Sequence, residues 1–132
     1  MFIHLHTRSW FSFLRGGSSP EALVRRASSL GMTSLALTDY MSMSGVVEFQ
    51  VACRRFGLRP IIGAEIDTGE DLFVLLARNR GGYTNVCEII TWLERQDEEA
   101  LRQGRLRERV GRTLKRYGED VICLAGGRES VV

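Results

Sequence analysis

The sequence predicts an α/β fold built around a largely parallel sheet, and two observations lead to this prediction. Short apolar runs of strand length alternate along the chain with stretches in which apolar residues recur every three or four positions, the spacing of one helix face. The short runs are apolar almost throughout, which is typical of strands that are buried on both faces of a parallel sheet.

Composition limits the classes of protein that the chain can belong to. Its 132 residues, 44% of them hydrophobic, suffice for one core, so we expect a single domain over residues 1–132. The formal net charge is only +2, so direct nucleic-acid binding is expected to be weak or absent. No apolar run approaches the roughly 18 residues that span a bilayer, and no membrane partner is expected. Three widely spaced cysteines without a CxxC pair predict a reduced, cytoplasmic protein.

The first predicted strand, residues 2–6, contains both histidines of the chain. Because side chains alternate between the two faces of a strand, His4 and His6 are expected on the same face. Two imidazoles on one face can bind one divalent metal ion. The alternative is a pair of half-buried histidines at a sheet edge.

The first helix is predicted from a capping pattern that follows an aromatic loop. Residues 9–17 are aromatic and then glycine-rich, so their apolar side chains are expected to cover the end of the first strand and wall a pocket. Ser18, three residues before Glu21, has the layout of a capping box with Pro20 in the first turn. A helix is therefore expected to run from there to about Gly31.

The later elements follow the same two patterns. Residues 95–104 are charged and contain few apolar groups, so this stretch is expected to be either a surface extension of a helix or a mobile linker. Helical stripes and short apolar runs predict helices at 44–56, 81–93 and 105–117 and strands at 34–38, 59–66, 72–77 and 121–125.

Two carboxylates lie where predicted strands end. Asp39 follows the second strand, and Glu65 lies late in the third. In parallel α/β folds the carboxyl ends of the strands form the functional site, so both side chains are expected near His4 and His6. These four residues are the candidate metal ligands, although polar residues also end strands by chance.

Several motifs resemble one known family, and they extend over most of the chain. They are the histidine-x-histidine strand with its loop to Gly16, Ala36–Tyr40 (ALTDY), Gly45–Phe49 (GVVEF) and Pro60–Glu65 (PIIGAE). The chain is identified on these motifs as resembling the polymerase and histidinol phosphatase (PHP) domain, in the version that opens the bacterial DNA polymerase III alpha subunit.

The resemblance implies a partial or distorted PHP-type β/α barrel, because the chain has about half the length of the family's domain. Relatives hold up to three metal ions and hydrolyse phosphoesters or proofread DNA. His4, His6 and Glu65 match family ligands, and Asp39 matches the motif around a family aspartate. The implied cofactor is therefore a divalent ion, zinc or manganese, with at most one ion expected here.

The chain departs from the family pattern at two positions of the expected site. Arg15 stands where the family usually has an acidic residue, and Tyr40 stands where it has histidine. A guanidinium repels a cation, and a neutral phenol is a poorer ligand than imidazole. The metal site is therefore expected to be degraded. Arg15 either binds a phosphate or is solvated, and Tyr40 is expected to pack at the rim.

Three functions remain open at this point. The first is a scaffolding segment of a replicative polymerase subunit that is inactive alone and has no catalytic residue. The second is a metal-dependent phosphoesterase or 3'-5' exonuclease completed by missing residues or another chain. The third is a free-standing interaction module. The expected partners are the remainder of a polymerase subunit, an exonuclease or a second copy of the chain.

Overall fold

A computed structural model describes residues 2–69, 71–96 and 106–125, with the side chains of 106–110 outside the description. The helices are α1 (Pro20–Ser29), α2 (Val46–Phe56), α3 (Arg80–Glu94) and α4 (Leu106–Tyr117). The strands are β1 (Ser34–Tyr40), β2 (Arg59–Asp67), β3 (Leu72–Ala77) and β4 (Val121–Leu124). The α/β class is confirmed. The stretch predicted at 95–104 lies outside the described residues from position 97 onward.

The strands are hydrogen-bonded in the order β1-β2-β3-β4. The chain divides into two compact units, residues 1–64 and 65–132, and the division falls inside β2. In the second unit β3 and β4 run antiparallel, with Val74 opposite Leu124 and Ala77 opposite Val121. The sheet is therefore mixed, and this pair departs from the parallel arrangement that was predicted. Both α3 and α4 lie between β3 and β4 in the chain.

The helix ends are fixed by side-chain and glycine caps. Ser19 caps α1 by accepting a hydrogen bond from the Ala22 N–H at 3.1 Å, so the predicted cap at Ser18 is wrong by one residue. Ser19 is the residue directly before Pro20, and it therefore takes the capping position. Gly57 ends α2 in the left-handed conformation, with φ 72°, as expected for a C-terminal glycine cap.

The core of the first unit lies between α1, α2 and β1. The helix predicted at 44–56 is present as α2 and packs through one face, on which Phe49 and Cys53 are completely buried. Burial raises the pKa of the Cys53 thiol to about 11, so this cysteine stays protonated and acts as a small apolar residue. The buried residues that form this core are Val24, Ala27, Leu35, Leu37, Phe49, Ala52, Cys53 and Leu58.

The predicted strand at 2–6 is wrong, because the segment runs beside β1 without regular pairing. The Ala36 N–H donates to the carbonyl oxygen of His4 at 3.0 Å, and the Thr38 N–H donates to that of Thr7 at 2.8 Å. Between these two hydrogen bonds the N-terminal segment spans three residues, whereas β1 spans two. The chain bends at Leu5. Strand alternation therefore cannot place the two histidines on one face.

Among the residues that the structure describes, no helix is long and apolar enough to cross a membrane.

Candidate metal site and its bordering loop

Asp39 is a buried carboxylate near the end of β1, with 1% of its surface exposed. Its Oδ1 accepts hydrogen bonds from the Ser9 N–H at 2.6 Å and the Ser12 hydroxyl at 2.6 Å. Its Oδ2 accepts a hydrogen bond from the Ser9 hydroxyl at 2.8 Å. Both serines are fully buried. Asp39 therefore fastens residues 9–17, which we call the serine loop, to β1.

The role of the two serines was not predicted from the sequence. Each serine bonds Asp39 from a position 27 or 30 residues away. Ser12 also accepts a hydrogen bond from the Tyr40 N–H at 2.9 Å, so its hydroxyl joins two consecutive residues of β1 to the loop. The sequence carries no local signal for this arrangement, because the bonded residues lie 27 and 30 positions apart.

The serine loop is compact because its backbone bonds to itself. The amides of Arg15 and Gly16 both donate to the carbonyl oxygen of Ser12, at 2.8 and 3.0 Å. The Trp10 N–H donates to the carbonyl oxygen of Ser18 at 2.9 Å and closes the loop. A Cβ at Gly16 would lie 2.1 Å from the carbonyl oxygen of Ser9. This turn therefore requires glycine at position 16.

Replacing Gly16 by alanine is expected to destabilise the chain by about 1–3 kcal/mol, because the new methyl group must displace backbone. Gly17→Ala is the matched control, since a Cβ at Gly17 would meet nothing within 4 Å. Urea denaturation of both variants measures the difference. Equal free energies of unfolding for the two variants would show that the close approach at Gly16 is not a constraint.

The apolar side chains of the serine loop do not form the cover expected from the sequence, because most of them are exposed. Trp10 is 52% exposed, and Phe13 and Leu14 are 83% and 91% exposed. The loop is held to β1 through its serines, which turn inward, and most of its apolar side chains consequently face outward. The loop therefore presents a small apolar surface within the first unit.

The two positions that depart from the family pattern are in contact. The Arg15 guanidinium carbon lies 3.9 Å from the centroid of the Tyr40 ring, within the range of a cation–π interaction. The residue before Arg15 and the residue after Tyr40 both have positive φ without being glycine. These are Leu14, with φ 59°, and Met41, with φ 47°. Arg15 is exposed, as the solvated alternative expects, and its guanidinium is also stacked on an aromatic face.

His4 and His6 line one cavity, and both imidazoles are exposed. The cavity has a volume of about 370 Å³. The charged residues that line the cavity besides the histidines are both basic, Arg8 and Arg26. Among the described residues no carboxylate lines it. The remaining lining consists of Thr7, Leu23, Ala27, Leu30, Met32 and Leu35. The first unit thus gathers both histidines at one opening.

The fourth candidate, Glu65, lies on β2 in the second unit and is 1% exposed. Within the described ranges 2–69, 71–96 and 106–125, no three His, Cys, Asp or Glu side chains form a group suited to hold a metal ion. In the first unit the structure brings the two histidines together at the cavity, whereas Asp39 is bonded to the serine loop. A metal ion held by the candidate residues remains a proposal.

Comparisons with known proteins identify the same family as the sequence motifs. The family model described as the PHP domain matches residues 4–132. The chain is 46% identical over 99 residues to an error-prone DNA polymerase of Dechloromonas aromatica, covering 74% of this chain and 10% of that protein. It is 31% identical over 137 residues to the DNA polymerase III subunit alpha of Buchnera aphidicola subsp. Schizaphis graminum, covering 96% of this chain and 11% of that protein.

Among solved structures that are similar to the chain, one matches it over about two thirds of its length. It is an amidohydrolase from Chromobacterium violaceum with bound sulfate and no metal, 26% identical with a TM-score of 0.54. The match covers 66% of this chain and 32% of that one. The chain spans about a tenth of the length of the curated relatives it matches.

Proposed function

The chain belongs to the PHP domain family, and we propose that it acts as a scaffolding segment of a polymerase subunit rather than as a hydrolase. It matches the N-terminal region of DNA polymerase III alpha and error-prone DNA polymerases. The observation that carries the proposal is the bonding of Asp39. All three of its hydrogen bonds go to Ser9 and Ser12, so a carboxylate from the family motif serves to hold a loop.

The family implies a divalent metal ion, and the residues of this chain fit such an ion only in part. His4 and His6 offer exposed imidazoles at one cavity, which suits zinc better than manganese, an ion that prefers oxygen ligands. Asp39 does not fit, because binding a cation would break its hydrogen bonds with two buried serines. We therefore propose at most one ion, held by His4 and His6 of the first unit.

The bound ion, where present, would act as a Lewis acid and lower the pKa of a bound water. The residues of the chain do little to assist it, because the arginine and tyrosine at the two departing positions provide no further anionic or imidazole ligand. Hydrolysis by clustered metals requires several such ligands to offset the positive charges. We therefore propose that the chain alone hydrolyses phosphoesters poorly.

Elemental analysis of the purified chain is expected to show at most one zinc or manganese ion per chain, reduced by His4→Ala and His6→Ala. Turnover of a generic phosphomonoester is expected to remain near the level of a metal-free blank. Asp39→Asn, which conserves shape, is the control and should leave the metal content unchanged. Two or more tightly held ions, or metal-dependent turnover that His6→Ala abolishes, would favour the phosphoesterase or exonuclease alternative instead.

The proposed partner is the remainder of a polymerase subunit, since the relatives are about ten times longer than this chain. An exonuclease and a second copy of the chain are the further candidates, and the cytoplasm is the proposed location. Light scattering across a tenfold concentration range tests the second copy. A mass that stays at one chain throughout excludes self-association over that range, whereas a rising mass supports it.

A further inference from the structure

The two departures from the family pattern lie 25 positions apart in the sequence and touch each other in the structure. Arg15 belongs to the serine loop, and Tyr40 is the last residue of β1. The guanidinium carbon of Arg15 lies 3.9 Å from the ring centroid of Tyr40. The contact places both departures at one point of the first unit.

We propose that Arg15 and Tyr40 form a metal-free clasp that fastens the serine loop to the end of β1, at two positions where the family pattern has an acidic residue and a histidine. The positive charge that an ion would bring is here part of the chain, as a guanidinium. The aromatic face supplies the negative side of the interaction, and its ring is a better partner for a cation than a neutral imidazole. This inference goes beyond the proposed scaffolding function and does not depend on it.

The clasp explains why the loop end tolerates unfavourable backbone. Leu14 precedes Arg15 and Met41 follows Tyr40, and both have positive φ, a conformation that persists in non-glycine residues only where the surrounding structure imposes it. The Ser12 hydroxyl accepts a hydrogen bond from the Tyr40 N–H, so the backbone of Tyr40 is tied to the same loop as its ring. Ring and backbone of one residue therefore hold the loop from two sides.

The clasp also predicts that changing only one of the two positions to the residue type of the family pattern does not create a metal site. Tyr40→His alone would place an imidazole beside the Arg15 cation. Arg15→Asp alone would remove the cation and leave a phenol as the partner ligand. Only the double change supplies two ligands and removes the repelling charge.

Hydrogen exchange of the Ser12 and Gly16 amides tests the clasp, because both amides are bonded within the serine loop. Arg15→Gln and Tyr40→Leu, alone and together, form a double-mutant cycle, with α2 amides as the check that the variants fold. Each single change is expected to speed exchange at these two amides about fivefold, and the double change no further. Tyr40→Phe keeps the ring face and should exchange like the unaltered chain. EDTA should leave the exchange of the unaltered chain unchanged.

The clasp is overturned by rate increases that simply multiply in the double variant, by Tyr40→Phe behaving like Tyr40→Leu, or by EDTA speeding loop exchange in the unaltered chain. The double variant Arg15→Asp with Tyr40→His tests whether positions 15 and 40 face one cation site. Manganese is expected to slow loop exchange in this double variant and not in Arg25→Asp with Tyr40→His, where the altered arginine is an exposed residue of α1. Equal responses of the two double variants to manganese would show that positions 15 and 40 do not share a cation site.

Discussion

Replacing Asp39 by alanine is expected to destabilise the chain by about 3 kcal/mol and to release the serine loop from β1. Three donors lose their acceptor, namely the N–H and hydroxyl of Ser9 and the hydroxyl of Ser12. Each hydrogen bond to a charged group contributes about 1.5–3 kcal/mol, and these bonds are not additive because they share one carboxylate. Both serines are fully buried, so water cannot replace the lost acceptor without opening the loop. Urea denaturation measures the loss.

Two further variants separate this structural role from a role in metal binding. Asp39→Asn keeps the shape of the side chain but offers one acceptor oxygen to three donors. Its free energy of unfolding should therefore lie between those of the unaltered chain and Asp39→Ala. Asp67→Ala is the control at a half-buried carboxylate that accepts a hydrogen bond from the Gly69 N–H, and its loss should stay below about 1 kcal/mol. Calorimetric titration with manganese should give the same affinity for Asp39→Asn as for the unaltered chain. A marked loss of affinity with little loss of stability would identify Asp39 as a ligand instead.

Much of the fold could be predicted from the sequence. The spacing of apolar residues indicates which face of a helix or strand is buried when that element packs against one core. The strand predicted at 72–77 has those bounds in the structure, and α2 buries the face that its spacing indicated. The predicted strand at 2–6 failed for a local reason. The apolar alternation is present, but the segment needs one residue more than β1 between its two hydrogen bonds, and neither Leu5 nor its neighbours carry a turn signal.

The candidate site was predictable in its residue types and not in its contacts. Asp39 could be singled out as a carboxylate at a strand end, whereas its bonding to Ser9 depends on a loop 30 positions away. The aromatic composition of that loop suggested a buried cover, because apolar side chains are usually buried. The serines took the inner positions instead, since a buried carboxylate must be hydrogen-bonded. Local patterns contain no information on such long-range pairing.

Replacing Phe49 by alanine is expected to have the largest effect on stability, about 3–5 kcal/mol, through loss of apolar burial and the cavity that remains. Phe49 is completely buried on α2, in the core that includes Val24 and Leu37. A loss of this size is a large part of the 5–15 kcal/mol by which a typical domain is stable. Chemical denaturation, with near-ultraviolet circular dichroism to follow packing, measures the change.

Val47→Ala on the same helix is the matched control, because Val47 is 73% exposed and its loss should stay within about 0.5 kcal/mol. The two positions differ by two residues, so they lie on different sides of α2, and helix propensity changes in the same direction in both variants. The difference between them therefore isolates the contribution of burial. Similar losses in the two variants would mean that α2 does not pack against the core through Phe49, and the core of the first unit would have to be assigned to other residues.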